Sequence, residues 1–456
     1  MKKTFYLESL GCAKNQVDSE VMIAALVENE WKHVQTPDEA EVIIVNSCGF
    51  IAPAKEESIQ VALEFHAQFP DRKVVMAGCL SQRYGAELAA GMPEISGFFG
   101  NRAPERVPEF LERSLDGGAS VFLPDASESS PADSPTVFAA HRPVRRTLLS
   151  LPGSAYVKIA EGCNNRCAFC AIPMIRGDLR SRALEDVIQE IRELLDRGLF
   201  ELNLVAHDLN SFGRDRATGT GSRQSELPRL LEAISRLPGK FWIRLLYLYP
   251  ETFPMEILPL LSSDSRFLPY LDLPMQHASA DILHAMGRSG RRESYLSLIE
   301  TVRHSVPEVV IRSTFLVGYP GESDEQFDEL LAFQAEAAFD WLGLFAYSPE
   351  EGTRGYLQQR TRGRVPAATA RARKTELERR QRPISEERME RFVGRELEVL
   401  IEEPVIGEDL AFARAYLQAP EVDGAVVVRG SGFTAGRTLA ARIIRRNGID
   451  LEAVPV

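Results

Sequence analysis

The sequence predicts an α/β protein with three parts: an N-terminal parallel-sheet α/β domain (1–115), a central open (β/α)6 partial barrel (149–385) and a small C-terminal β-barrel (389–456). Apolar, strand-like runs alternate with helical patterns through the first two parts, which is typical of covered parallel sheets. A polar, Pro-rich stretch separates these two parts, and we assign 116–148 to a linker. The tail instead has short apolar runs separated by Gly, Pro and Asp, as small barrels do.

Composition limits the possible partners. The chain has 456 residues, 44% of them hydrophobic, which is enough for two or three cores. A formal net charge of -12 disfavours a surface that attracts nucleic acid everywhere, so we expect no DNA partner. Glu8 interrupts the apolar start, and no later run approaches the roughly 20 apolar residues of a membrane span. We therefore expect no membrane partner and a cytoplasmic location.

In the N-terminal part, a cysteine follows each of three strand-like runs. TFYLESL, EVIIVNS and KVVMAG alternate with helical patterns at 17–28 and 54–68, and Cys12, Cys48 and Cys79 come directly after the runs. Ligands of open α/β sheets bind beyond the carboxyl ends of the strands, so these three residues can converge. A shared metal site is the physical interpretation. The alternative is that each cysteine is a small buried hydrophobe.

The central part begins after PDASESSPADSP (Pro124–Pro135), whose composition predicts an exposed segment. Six strand-like runs follow, and enough chain for a helix comes after each of the first five. Such an arrangement predicts an open partial barrel whose active site lies in the loops after the strands. The runs are AYVKIA (155–160), ELNLVA (201–206), FWIRLLYL (241–248), YLDLPM (270–275), VVIRSTFLV (309–317) and WLGLFAY (341–347).

Charge changes sign near the end of the chain. Residues 354–391 hold twelve Arg or Lys against five Glu in a helical pattern, which indicates either a solvated face with i,i+4 pairs or contact with RNA or phosphate. The strand-rich tail contains LEVLIEE, FARAYLQ, GAVVVRG and RTLAARII. Within it, Glu396–Asp423 holds eight acids and one arginine, an unusual surface for binding nucleic acid.

The other three cysteines form a CxxxCxxC triplet after AYVKIA. Cys163, Cys167 and Cys170 share one tight loop, and thiolates are the usual ligands of four-iron, four-sulphur clusters. Three ligands leave one iron open, to which the amino and carboxylate groups of S-adenosylmethionine can bind. Zinc is the main alternative, but structural zinc needs four protein ligands, and the next histidine is the distant His207. A disulfide or a catalytic thiol does not need three cysteines at this spacing.

These residues resemble a known family. EGCNNRCAFC, preceded by AYVKIA, is similar to the radical S-adenosylmethionine (radical SAM) enzymes, whose core is a partial TIM barrel. With its three-cysteine domain before the core and a small barrel after it, the whole chain resembles the methylthiotransferases, whose last module is the TRAM domain. The resemblance implies two 4Fe-4S clusters and S-adenosylmethionine as cofactors. It places the radical-generating cluster on Cys163, Cys167 and Cys170 as catalytic residues, and an auxiliary cluster that handles sulphur on Cys12, Cys48 and Cys79.

Short sequence motifs distinguish the branches of this family. LGCAKNQVDSE, AGCLSQRYGAEL, AIPMIRGDLRSR, DLPMQHAS and QAPEVDG resemble the RimO branch, which modifies an aspartate of ribosomal protein S-twelve. The acidic terminal module would attract such a basic protein. The alternatives are the MiaB-like branch, which modifies tRNA adenosine, a non-catalytic iron–sulphur carrier, and an RNA-binding module with zinc.

The resemblance also implies a reaction. The reduced cluster cleaves S-adenosylmethionine to methionine and a 5′-deoxyadenosyl radical, which takes hydrogen from the aspartate β-carbon before a methylthio group is added. An electron donor and a sulphur source are required as partners. Candidates for holding S-adenosylmethionine are Asp208, Gln276, Arg312 and Gly318 of the GYPGE stretch 318–322, although Arg312 could instead be a buried ion-pair partner. His207 departs from the glutamine expected beside Asp208.

Overall fold

The computed structural model describes two compact units. No helix among the described residues is both long and apolar enough to cross a membrane. Apart from Pro124, the predicted exposed segment Pro124–Pro135 lies outside the described residues. The residues described are 3–115, 121–124, 145, 147–216 and 224–456. The first unit runs to Ser150 and adds 160–165 and 170–186, whereas the second comprises 151–159, 166–169 and 187–456.

A parallel sheet forms the centre of the first unit. Its strands lie in the order β2-β1-β3-β4-β5-β6, with helices between them. The strands are β1 (Thr4–Ser9), β2 (Lys32–His33), β3 (Val42–Ser47), β4 (Lys73–Gly78), β5 (Gly97–Phe99) and β6 (Val121–Phe122). The helices are α1 (Ala13–Glu28), α2 (Ala52–Gln68), α3 (Cys79–Gly91) and α4 (Val107–Leu115).

Both faces of this sheet are covered, which explains why its central strands are continuously apolar rather than alternating. Every residue of β3 is buried. Since successive side chains point to opposite faces, Val42 and Ile44 pack with residues of α1 and α4. Ile43 and Val45 pack on the other face with residues of α2 and α3. The sequence predicted β1, β3, β4, α1 and α2 but not the short strands β2, β5 and β6.

The second unit contains the predicted open barrel. Its sheet has the order β14-β13-β12-β11-β10-β7, and all of its neighbours are parallel. The small pair β8 and β9 belongs to the first unit. In chain order the elements are β7 (Ser154–Lys158), β8 (Ala160–Glu161), α5 (Ile172–Arg176), β9 (Arg180–Ser181), α6 (Leu184–Asp196), β10 (Glu201–Val205), α7 (Leu227–Ser235), β11 (Trp242–Leu245), α8 (Leu258–Ser263), β12 (Phe267–Asp272), α9 (Ala280–Ala285), α10 (Arg292–Ser305), β13 (Val310–Val317), α11 (Asp324–Ala337), β14 (Trp341–Ala346), α12 (Arg354–Arg362) and α13 (Ala367–Glu390).

All six predicted strands of the central part are confirmed, with different ends. In FWIRLLYL, β11 stops at Leu245, three residues before the predicted end. Tyr247 adopts a left-handed backbone conformation with φ of 68°, which a regular strand cannot contain. The carboxyl end of this strand therefore turns earlier than its apolar composition suggests.

A closed barrel ends the chain, as predicted. Its strand order is β15-β16-β17-β19-β18. The sequence predicted four of these strands and missed the last, a six-residue segment at the terminus. The strands are β15 (Glu396–Pro404), β16 (Leu410–Arg414), β17 (Val426–Arg429), β18 (Thr438–Asn447) and β19 (Asp450–Pro455).

The basic stretch 354–391 forms helices whose charges are extensively paired. On α13, Glu376 binds both Arg379 and Arg380, and Arg382 binds Glu386; the arginines are exposed and the glutamates are half-buried. Such pairs are the solvated-face arrangement that the sequence left open beside RNA contact.

Buried charges join the C-terminal barrel to the open sheet within the second unit. Glu201 at the start of β10 accepts from Arg244 Nε at 2.9 Å and from Arg414 Nη1 at 3.1 Å. Arg244 also donates to the carbonyl of Tyr416 at 2.9 Å. The side chains of Glu201 and Arg244 are fully buried, and that of Arg414 is 3% exposed. The barrel is therefore held by directional polar contacts as well as by apolar packing.

Replacing Glu201 by Ala should destabilise the protein by about 3–5 kcal/mol, because it removes the buried carboxylate that Arg244 and Arg414 share, and only Arg414 keeps another carboxylate, that of Glu402. Burial alone would raise the pKa of Glu201, but Arg414 and Arg244 outweigh it and lower the pKa to about 2. The stabilisation is therefore full above the ordinary value of 4.5 and is lost as the pH falls towards 2. Denaturant unfolding against pH measures both effects. Glu232→Ala, which breaks an exposed pair with Arg236, is the control and should change stability little.

Candidate functional site

The structure brings the carboxyl ends of three adjacent strands to one edge of the first sheet. In register, Ser9 of β1 lies beside Asn46, and Ser47 of β3 lies beside Gly78 of β4. The three cysteines that follow these strands are Cys12, which immediately precedes α1, Cys48, and Cys79, which begins α3. The chain thus places three thiols, distant in sequence, at neighbouring strand ends.

Two glycines shape the backbone around these thiols. Gly11 has φ of 93°, and a Cβ there would lie 3.0 Å from Cys48 Cβ and 3.4 Å from its sulphur. At Gly49, a Cβ would lie 2.7 Å from the carbonyl oxygen of Cys79, closer than real Cβ contacts. Only glycine allows these loops to approach so closely. Both glycines are next to a cysteine in the sequence, but the close approach that requires them is visible only in the structure.

Polar donors surround the sulphur of Cys79. Asn101 Nδ2 lies 3.1 Å from Cys79 Sγ, and Arg176 Nη2 lies 3.3 Å from it. Burial raises the pKa of the Cys79 thiol, and burial raises that of Cys48 to about 12. Binding of a metal group to these sulphurs would therefore displace protons that the pocket otherwise retains.

Replacing Gly49 by Ala should lower the iron content of the reconstituted protein by about one four-iron cluster. The added methyl group meets backbone atoms of Cys79 and Leu80 within 2.8 Å, and backbone cannot move aside as a flexible side chain can. Iron and sulphide analysis of the anaerobically reconstituted variant measures the loss. Gly91→Ala is the matched control, because a Cβ at Gly91 meets nothing within 4 Å. Full iron content in both variants would contradict the cluster site.

The loop that carries the second cysteine set is closed at its base in the first unit. β8 and β9 pair antiparallel, with Glu161 opposite Arg180. Inside this pair, the Cys163 amide donates to the carbonyl of Gly177 at 3.2 Å, and the Leu179 amide donates to Asn164 Oδ1 at 3.1 Å. These bonds fix the chain on either side of the triplet.

The middle of the same loop, residues 166–169, belongs to the second unit. The Ala168 amide donates to the Met286 carbonyl at 2.7 Å, and its carbonyl accepts from the Gly355 amide at 2.7 Å. Cys167 Sγ lies 3.8 Å from the hydroxyl of Tyr249.

Tyr249 is itself held in place. The guanidinium of Arg288 lies 4.0 Å from the centre of the Tyr249 ring, and Glu251 accepts from Arg288 at 2.7 and 2.8 Å. Burial raises the pKa of the Tyr249 phenol. A protonated hydroxyl is therefore fixed beside a sulphur of the triplet.

Three of the four candidates for S-adenosylmethionine contact follow strands of the open sheet. Asp208, after β10, caps a short turn by accepting from the Asn210 amide at 3.0 Å. Gln276, after β12, has φ of 70° and bridges to β13 through its backbone. Gly318, directly after β13, has φ of 77° and donates its amide to Glu322. Their binding role stays a prediction.

Arg312, the fourth candidate, lies within β13. Its guanidinium pairs with Asp272 at 3.5 Å and with Asp423 of the C-terminal barrel at 3.3 Å. This is the buried ion-pair arrangement that the sequence left open, and it engages the side chain in joining the sheet to the barrel.

The donor chemistry of the two cysteine sets fits iron–sulphur clusters better than structural zinc, because each set has three cysteines and structural zinc needs four protein ligands. A zinc ion needs sulphurs at about 2.3 Å from its centre, whereas a cluster distributes thiolates over separate irons. Each of the two sets has three cysteines. In the first set, the backbone at Gly11 lies close to Cys48, and the backbone at Gly49 lies close to Cys79.

Sequence reasoning missed the residues that contact the cysteine sulphurs. Asn101 follows the short strand β5, which has no recognisable pattern in the sequence. Arg176 lies in IPMIRG, six residues after Cys170, and Tyr249 follows the strand β11. The position of Arg176 beside the triplet was the one available signal.

Family models match three parts of the chain. Residues 4–100 match "Uncharacterized protein family UPF0004", 157–333 match "Radical SAM superfamily" and 393–456 match "TRAM domain". Together they cover most of the described sheets and the terminal barrel.

Similar proteins extend over nearly the whole chain. A Treponema denticola protein, named ribosomal protein uS12 methylthiotransferase RimO, is 43% identical over 98% of this chain and 99% of its own. A Moorella thermoacetica protein of the same name is 40% identical over 95% of each chain. Among solved structures, the radical S-adenosylmethionine methyltransferase TsrM from Kitasatospora setae has a TM-score of 0.55 at 15% identity, covering 78% of this chain and 77% of its own. The last likeness shows the fold alone.

Proposed function

Since this chain belongs to the RimO family of ribosomal protein uS12 methylthiotransferases, we propose that it attaches a methylthio group to an aspartate β-carbon of uS12 with two clusters, one on each cysteine set. The chain is a radical SAM enzyme that uses S-adenosylmethionine and 4Fe-4S clusters. The proposal concerns which residues hold them and which atom is modified.

The observation that supports this proposal is the presence of two separate sets of three cysteines. Cys12, Cys48 and Cys79 lie at three adjacent strand ends, and Cys163, Cys167 and Cys170 share one loop. Three protein ligands leave one iron of each cluster for another group. A reaction that both activates a carbon and delivers sulphur needs two such positions.

When bound, the clusters and S-adenosylmethionine supply a hydrogen-abstracting radical and a sulphur-binding position. The protein supplies placement. Asp208, Gln276 and Gly318 follow the strands β10, β12 and β13, where substrates of barrel enzymes bind, and we assign them to cofactor contact. Tyr249 holds a proton beside Cys167 Sγ, and Arg288 and Glu251 fix its ring.

The terminal barrel offers an acidic hairpin to a basic protein. Glu403 is exposed near the end of β15, Glu408 and Asp409 are exposed on the turn between β15 and β16, and Ile406 at the tip of this turn is 99% exposed. Opposite charge accelerates and orients association. An electron donor and a sulphur source complete the partners, and we place the reaction in the cytoplasm, where ribosomes are assembled.

The test is mass spectrometry of uS12 and tRNA from cells with and without this protein. Loss of the mass of SCH₃ in place of H from one uS12 aspartate is the expected result. Complementation with the wild-type chain should restore it, and complementation with the Cys163→Ala variant should not. If the methylthio group disappears from tRNA adenosine instead, uS12 is not the substrate.

A further inference from the structure

Arg176 occupies a position that the cysteine pattern does not explain. Its side chain is 1% exposed and is enclosed in the first unit. Its nitrogens lie 2.8 Å from Asp18 Oδ2, 3.0 Å from Glu161 Oε1 and 3.3 Å from Cys79 Sγ. A fourth contact, at 3.3 Å, goes to Asn15 Oδ1. The buried guanidinium thus has four anionic or polar groups within 3.3 Å.

These partners come from segments beside several cysteines. Glu161 lies two residues before Cys163, and Arg176 lies six residues after Cys170. Asn15 and Asp18 lie on α1, which begins directly after Cys12. One side chain of the triplet segment thus reaches the sulphur of Cys79, which belongs to the other cysteine set.

The chemistry of the contact favours arginine. A planar guanidinium presents donors in several directions and keeps its charge when buried. Asp18 and Glu161 carry two negative charges, so Arg176 neutralises only one of them. Adding an electron to a cluster on Cys79 would increase this negative charge, and a cation 3.3 Å from the sulphur opposes that cost.

Hydrogen bonds to cluster sulphurs are one of the factors that set reduction potential. Asn101 Nδ2 provides a second donor to the same sulphur, at 3.1 Å, and Asn101 is 4% exposed. Two buried donors thus converge on one cysteine. Cys79 is therefore prepared to bear more negative charge than an unassisted thiolate in a buried pocket.

We propose that Arg176 is a positioning residue that, together with Asn101, donates to Cys79 Sγ and raises the reduction potential of the auxiliary cluster. This inference depends on the proposed function, because it presumes a cluster on Cys12, Cys48 and Cys79. It adds that the segment leaving the triplet controls the electron affinity of the other cluster.

The experiment is an EPR-monitored redox titration of the reconstituted full chain carrying Cys163→Ala, Cys167→Ala and Cys170→Ala, so that only the auxiliary cluster contributes. Arg176→Met is combined with Glu161→Gln, which leaves the net charge of the pocket unchanged while removing the donor. We expect a more negative midpoint potential in this variant. Asn101→Leu should shift the potential in the same direction without removing a charge.

Arg102→Met is the matched control. Arg102 donates to the carbonyls of Met174 and Ile175, both at 3.3 Å, and so supports the same segment without touching a sulphur. Its replacement should leave the potential unchanged. A shift as large in Arg102→Met as in the Arg176 variant would overturn the proposal, because the effect would then be purely structural.

The remaining outcomes are also decisive. An unchanged potential in both the Arg176 and Asn101 variants, with full iron content, overturns the role of Arg176 while leaving the cluster assignment intact. If the Arg176 variant loses its cluster, Asn101→Leu decides, and an unchanged potential there counts against the proposal. If the parent protein with the triplet removed binds no cluster, the assignment of Cys12, Cys48 and Cys79 itself fails, and the role of Arg176 fails with it.

Discussion

Replacing Cys163, Cys167 and Cys170 together by Ala is expected to abolish reductive cleavage of S-adenosylmethionine. Without these thiolates the loop closed by β8 and β9 lacks the ligands that we propose for the electron-donating cluster. The iron content should fall from about eight to about four atoms per chain, because the other set is unaffected. Release of 5′-deoxyadenosine under reducing conditions, measured by chromatography, should fall to background.

Met174→Ala provides the control for this variant. Met174 lies on α5, which begins just after Cys170, and is 41% exposed, so its truncation should spare both iron content and cleavage. Continued release of 5′-deoxyadenosine by the triple variant would refute the assignment of these cysteines.

The second large effect is a separation of the two halves of the reaction. Replacing Cys12, Cys48 and Cys79 together by Ala should leave cleavage of S-adenosylmethionine measurable but stop formation of methylthiolated uS12. The three side chains lie at the ends of β1, β3 and β4, and none belongs to the triplet loop. Small side chains there create space but no strained backbone, so the first unit should still fold.

Two measurements on one preparation test this separation: 5′-deoxyadenosine release and the mass of uS12 after incubation. The Gly91→Ala protein, altered on the exposed end of α3, serves as the reference for folding and for both products. Methylthiolated uS12 formed by the triple variant would show that sulphur is delivered without these cysteines.

The sequence predicted the fold well wherever the pattern is long. The strands β3 and β4 are buried on both faces, so each appears in the sequence as a continuous apolar run that predicts the strand. Because a cysteine follows each of three such runs, the sequence predicted that the three cysteines lie at neighbouring strand ends, and the register of β1, β3 and β4 confirms this placement. The strands β2, β5 and β6 have two or three residues each, too few for any periodicity to appear.

The residues around the sulphurs could not be predicted in the same way. Arg176 and Asn101 reach Cys79 across 97 and 22 residues of sequence, and such long-range contacts leave no local pattern. Arg312 had two interpretations, and only the position of Asp423 in the folded chain shows its ion pair. Residues that act through another side chain are found by geometry rather than by spacing.

The buried ion pairs between the open sheet and the terminal barrel limit how chimaeras could be made between relatives that have different substrates. Glu201, Arg244 and Arg312 belong to the sheet, whereas Arg414 and Asp423 belong to the terminal barrel. A chimaera joined in α13 would separate these partners and bury unmatched charges. An exchange of the terminal barrel between relatives therefore has to include the matching charged residues on three strands of the sheet. The boundary of the exchanged part is then defined by these separate side chains and not by a single position in the sequence.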